Sequence, residues 1–114
     1  MAVPKLTGSF PLTKDSIAKA VTKTSPGVYV LGATNANNVL PVKRSGRADV
    51  DLAKRLADHI GKYKDFMYAY CSSANEGFYA ECELHHEYTP GDNLVHPARP
   101  TNTNLKCPRC MVFG

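Results

Sequence analysis

The sequence predicts a small α/β (α+β) domain: an antiparallel three-stranded sheet flanked by helices, with a C-terminal tail stapled by metal. Three observations carry this reading. Short apolar and aromatic runs, at Val28-Tyr29-Val30-Leu31, Val39 to Ser45 and Phe66 to Cys71, are bounded by Gly, Pro and Asn. Helical patterning lies between and after these runs, at Leu52, Leu56 and Ile60 and again over Asn75–Tyr88. The final stretch is rich in Pro and Asn, poor in apolar residues, and carries two cysteines three positions apart.

Residues 1–24 read as a leader, in which Lys14 to Val21 forms a short helix with Ile17, Ala20 and Val21 on its apolar face. Ser25-Pro26-Gly27 punctuates the chain before the first strand, Val28–Leu31. Gly32 to Asn38, with three Asn, makes the turn into the second strand. Pro41 marks that strand as an edge or a bulge, since proline cannot donate to a ladder. Asp49 or Asp51 caps the next helix, expected to run to about Gly61. Leu52, Leu56 and Ile60 give it an apolar stripe that Val50 and Ala53 widen, as in a helix laid on a sheet. Phe66–Cys71 is the third strand, with Cys71 in the core. The second helix of the domain ends at Thr89-Pro90-Gly91. The expected units are therefore the leader at 1–24, a domain over 25–93 and a tail over 94–114.

No apolar run approaches the roughly 20 residues needed to cross a bilayer, and the first residues lack the apolar segment of a secretory signal. The expectation is a cytoplasmic protein without a membrane partner. Fourteen basic and 10 acidic residues give a net charge of +4, which weakly favours a polyanionic partner. No acidic residue follows Asp92, whereas Arg99, Lys106 and Arg109 do, so the C-terminal region is locally basic.

In a reducing compartment, Cys107-Pro108-Arg109-Cys110 has the spacing of a zinc knuckle. Cys82 and His86, four apart on one helical face, supply the two further ligands of a tetrahedral Cys3His site. Thiolates and imidazole suit zinc rather than magnesium or calcium. His96 is the main competing ligand and His85 the next. A redox dithiol at Cys107 and Cys110, or Cys82 as a small buried hydrophobe, is the plainer alternative.

Tyr29 on the first strand, Arg55 and His59 four apart on a helix, and Glu81 on the second helix suit phosphodiester hydrolysis if they share a cleft. The carboxylate can hold a divalent ion and the arginine can balance charge developing on the phosphate. The phenol or imidazole can move the proton of the attacking water. Each also has an ordinary structural role: a strand aromatic, solvated helix positions, a surface carboxylate.

At these residues the sequence resembles the GIY-YIG nuclease superfamily, in particular its small members with a cysteine-containing tail. Gly27-Val28-Tyr29 is similar to the first signature tripeptide. Ser45 to His59 resembles the end of the second strand and the helix bearing the family's arginine, here Arg55, with His59 matching a histidine of a subset. Tyr79-Ala80-Glu81-Cys82-Glu83-Leu84-His85-His86 resembles the helix with the metal-binding glutamate, and Asn93 falls where many members have asparagine. His96 to Pro100 and Cys107 to Cys110 look like that subgroup's tail. The resemblance covers about residues 25–110. It implies a metal-dependent DNA endonuclease with Tyr29, Arg55, His59 and Glu81 as catalytic residues. Arg44, Arg47 and Asn93 are then candidate phosphate or substrate contacts, and magnesium or manganese sits at Glu81 beside a structural zinc.

The second signature departs from the family pattern: Arg44-Ser45-Gly46 stands where a tyrosine-led tripeptide is expected. Arginine binds phosphate bidentately but is protonated at any working pH and cannot act as a base. Tyr63, Tyr68 and Tyr70 are the other tyrosines available to such a site. The alternative expectation is a catalytically degenerate module that binds nucleic acid or protein through the same surface. A lone domain has little surface for reading a long site, so a protein partner or a homodimer would supply specificity.

Overall fold

The computed structural model describes residues 5–37 and 39–88. Seven elements follow one another: β1 (Thr7–Pro11), α1 (Lys14–Ala20), β2 (Gly27–Gly32), β3 (Val42–Ala48), α2 (Leu52–Ala57), β4 (Asp65–Tyr70) and α3 (Ala74–Tyr88). They form a small α/β domain around one antiparallel sheet of order β1-β4-β2-β3. The sheet has four strands, not three. The additional strand comes from the leader, where Thr7 to Pro11 pairs with β4 although its sequence lacks a clean apolar alternation. Phe10 nevertheless packs on Phe66 and Tyr68, with ring centroids 5.6 and 6.2 Å away. That aromatic contact holds the strand at the sheet edge.

Strand β2 is central and buried throughout, and alternate residues serve two layers. Tyr29 and Leu31 join Leu12, Ile17, Leu52, Leu56, Phe66 and Tyr68 beneath α1 and α2. Val28 and Val30 face the other way, onto Cys71, Ala80 and Leu84, where α3 lies. Helix α1 occupies the stretch expected of it, with Ile17 and Val21 buried and the Thr13 hydroxyl capping its start. Residues 12–21 therefore share the core of the elements that follow.

Strand β3 is the opposite edge of the sheet, as Pro41 just before it anticipates, and its register with β2 shifts between Leu31 and Gly32. Helix α2 is shorter than the expected reach to Gly61. Asp51 caps it through the Lys54 amide, and Leu52 and Leu56 are fully buried. Val50 and Ile60 are 71% and 40% exposed and do not extend the stripe. Beyond Ala57 the amides of Asp58, His59 and Ile60 bond to carbonyls three residues back, and Gly61 turns the chain with φ of +88°. The tightening to three-residue bonds rotates Ile60 off the helical face.

Candidate active site

Register builds the site. Tyr29 lies opposite Gly46 on β3 and Tyr68 on β4. A side chain at position 46 would run into the Tyr29 ring, its Cβ only 2.6 Å from Cζ, so glycine is needed for the tyrosine to lie across the strand. Gly27 has a similar role one layer in, where an added Cβ would sit 2.7 Å from both Leu52 Cδ2 and the Ala69 carbonyl. These two glycines let α2 and Tyr29 close onto the sheet.

A cleft of about 710 Å³ opens along the outer edge of β3. It gathers Tyr29, Arg44, Arg55, His59 and Glu81. Tyr29 and Arg55 arrive from β2 and α2, and His59 from the tight turn after that helix rather than from the helix itself. Glu81 comes from α3. The cleft draws on both faces of the sheet because β3 has no further strand beyond it. All four residues expected to be catalytic thus share one concavity. Of the expected substrate contacts, Arg44 and Arg47 also line it, while Asn93 lies outside the described residues.

The Tyr29 hydroxyl and His59 Nε2 are 3.0 Å apart. Burial pushes the Tyr29 phenol up to about 12, against the pull of Arg55 and with a further push from Glu81. His59 is moved below its ordinary value of 6.5, first by burial and then by Arg44, Lys62 and Arg55. At neutral pH the pair is therefore phenol and neutral imidazole, joined by a hydrogen bond in which the His59 tautomer sets the donor. Tyr63 packs edge-on against His59 with centroids 6.4 Å apart.

The other two tyrosines are committed elsewhere. Tyr68 donates to the Ala20 carbonyl, and Tyr70 accepts from the Thr22 and Lys23 amides. Tyr29 is the one tyrosine among the described cleft residues, and Arg44 lines the wall where a second was expected.

Arg47 is not simply a surface cation facing a substrate. Its Nη1 donates to Glu81 Oε1 at 2.9 Å and its Nε to Asp49 Oδ1 at 2.8 Å. Arg55 Nε reaches back to the Arg47 carbonyl at 3.5 Å. Lys54, Lys62, Asp49, Asp51 and Asp58 also line the cleft. Of these, Asp49 and Asp51 were expected only as candidate caps of the helix. Lys54 and Lys62 were legible as charges near Arg55 and His59, but only the fold turns them toward one opening. Five cations, Arg44, Arg47, Lys54, Arg55 and Lys62, thus face four carboxylates, Asp49, Asp51, Asp58 and Glu81, along the cleft.

Glu81 provides one hard oxygen donor group at the cleft wall, which fits a single divalent ion completed by phosphate oxygens and water. For zinc, Cys82 is fully buried on α3 and clusters with Phe78. Ala80 and Leu84 meet the sheet instead, and residue 82 lies about 200° around the helix from residue 80. Cys82 and His86 therefore lie on a different side of α3 from Ala80 and Leu84. Cys107 and Cys110, with the competing His96, lie outside the described residues. Among the described residues no group of three or more His, Cys, Asp or Glu side chains is arranged to hold a metal. Cys71 is core as expected, its thiol pushed up to about 11, chiefly by burial.

No family model, curated protein or solved structure matches the chain. Among the described residues no helix is long and apolar enough to cross a membrane.

Proposed function

We propose that this domain is a GIY-YIG-like, metal-dependent DNA endonuclease. The observation that carries the reading is the convergence of Tyr29, His59, Arg55 and Glu81 on one cleft. In this reading Tyr29 Oη takes a proton from the attacking water as it passes its own to His59 Nε2. The relay needs no free phenolate, which burial of Tyr29 disfavours. Arg55 stabilises the negative charge that grows on the phosphate, and Arg44 clamps a neighbouring phosphate oxygen. A magnesium or manganese ion held by Glu81 would supply further stabilisation to the phosphate oxygens. Zinc bound by Cys82, His86, Cys107 and Cys110 would be structural and closed, tying the tail to α3.

Incubation of DNA in several forms with magnesium or manganese should give products, and Arg55→Ala should slow their formation by about 10²-fold or more. Absence of products from native protein under all these conditions would overturn the nuclease reading.

A second reading has one specific observation in its favour: Arg44 lines the cleft, and Tyr29 is the one tyrosine lining it among the described residues. On that reading the domain binds DNA, or a protein partner, without cutting. Arg44→Tyr separates the two. A lower cleavage rate makes Arg44 a working phosphate clamp, whereas a rate that appears only in the variant makes the natural protein a binding module.

A further inference from the structure

We propose that Arg47 is an electrostatic gate on Glu81, so that the divalent ion and the nucleic acid enter the cleft cooperatively rather than independently. The inference rests on the nuclease reading and adds a regulation that the site residues alone do not imply.

Arg47 is held on several sides. Its guanidinium joins Glu81 at 2.9 Å and Asp49 at 2.8 Å and lies 5.6 Å over the Phe78 ring. Its stem passes α3 at Gly77, where even an added Cβ would stand 3.8 Å from Cδ. Both partners of the inner pair are largely withdrawn from water, the Arg47 and Glu81 side chains being 13% and 11% exposed. Solvent therefore screens the attraction less than it would in a surface pair.

A cation bound at the Glu81 carboxylate would lie within about 6 Å of the guanidinium, given ordinary ligand and hydrogen-bond lengths. Repulsion between a unit and a double positive charge at that range opposes ion binding in the substrate-free protein. A phosphodiester in the cleft changes the balance. Its charge offsets both cations and offers the guanidinium a new bidentate acceptor, so Glu81 can turn from arginine to metal. The coupling is reciprocal: DNA tightens the ion by the same factor by which the ion tightens DNA. Removing the guanidinium would leave Asp49 and Glu81 as two neighbouring carboxylates, a better cation site than the native one.

Manganese affinity, read by titration calorimetry or by the spin resonance of the free ion, tests this without any cleavage. The probe is manganese alone and manganese with a short phosphorothioate duplex, which resists hydrolysis. Native protein should bind manganese at least tenfold more tightly with the duplex than without it. Arg47→Met, which keeps the apolar stem over Phe78, should bind manganese alone at least tenfold more tightly than native and lose most of the duplex effect. Arg47→Lys keeps the charge and should remain weak in the absence of DNA. Equal manganese affinity of native protein with and without the duplex overturns the gate. So does an Arg47→Met protein, folded by circular dichroism, that binds manganese no more tightly. The native comparison stands even if the variant does not fold. Glu81→Gln separates the two proposals: manganese binding that ignores this substitution in every condition sinks the metal role of Glu81 itself.

Discussion

Tyr29 and His59 illustrate how burial assigns chemistry to single side chains. Neither group's behaviour follows from its type, because an exposed tyrosine titrates near 10 and an exposed histidine near 6.5. In the fold both are pushed toward their neutral forms, the phenol upward and the imidazole downward. For His59 the unfolded chain takes up its proton first as pH falls. Its contribution to stability is therefore complete above about pH 6.5 and is lost as pH drops through the lower folded value. The same shift keeps the imidazole a base into mildly acidic solution. A pH–rate profile of the native protein should accordingly hold its plateau below pH 6.5, and His59→Gln should lower the plateau and remove that acid limb. An unchanged limb in the variant would assign the titration to another group. Gly46 makes the complementary point about space. Gly46→Ala should destabilise the fold by about 1–3 kcal/mol in a denaturant titration, because the ring of Tyr29 must be displaced. The need for glycine opposite a tyrosine was invisible until the β2–β3 register was known. The sequence placed Gly46 at the end of the second signature tripeptide without showing what it faces.

Helices and strands were legible where periodicity and punctuation agreed. Leu52 and Leu56 with Asp49 or Asp51 ahead of them marked α2, and the apolar run at Val28 marked β2 as a short strand. Two elements were misjudged for physical reasons. Thr7–Pro11 is a strand because β4 offers it a partner and Phe10 an aromatic neighbour, and neither is local information. The helix after Asp51 stops at Ala57 because the chain changes to three-residue hydrogen bonds, which places His59 in a turn beside Tyr29. That early stop moves the histidine into the cleft, whereas the Arg55–His59 spacing alone placed the two residues together by a different geometry. Leu52 ties element to site, since it is fully buried and packs against Gly27. Leu52→Ala should cost about 2–5 kcal/mol in chemical denaturation. Asp51→Ala, which removes only the cap on the Lys54 amide, should cost about 1 kcal/mol.

Across the whole molecule, one sheet edge and two helices build a charged cleft, and a third feature, the zinc-tied tail, is proposed to complete it. If Cys107 and Cys110 join Cys82 and His86, purified protein should carry about one zinc per chain. Cys107→Ser should then lower stability by several kcal/mol. Elemental analysis without zinc would leave Cys82 as part of the helix packing with Phe78. The convergence of Tyr29, Arg55, His59 and Glu81 could be read from spacing and resemblance. The Arg47 pairing could not, because it joins positions 34 residues apart across a strand and a helix. The central claim is that Glu81 serves a hydrolytic ion and not the fold alone. Its most direct test is the manganese-dependent cleavage rate of native protein beside Glu81→Ala, with DNA binding and melting temperature measured on both. The account predicts that native protein cuts, that the variant binds DNA and stays folded, and that its products fall to background. Equal cleavage by the two proteins, or none by either, would contradict it.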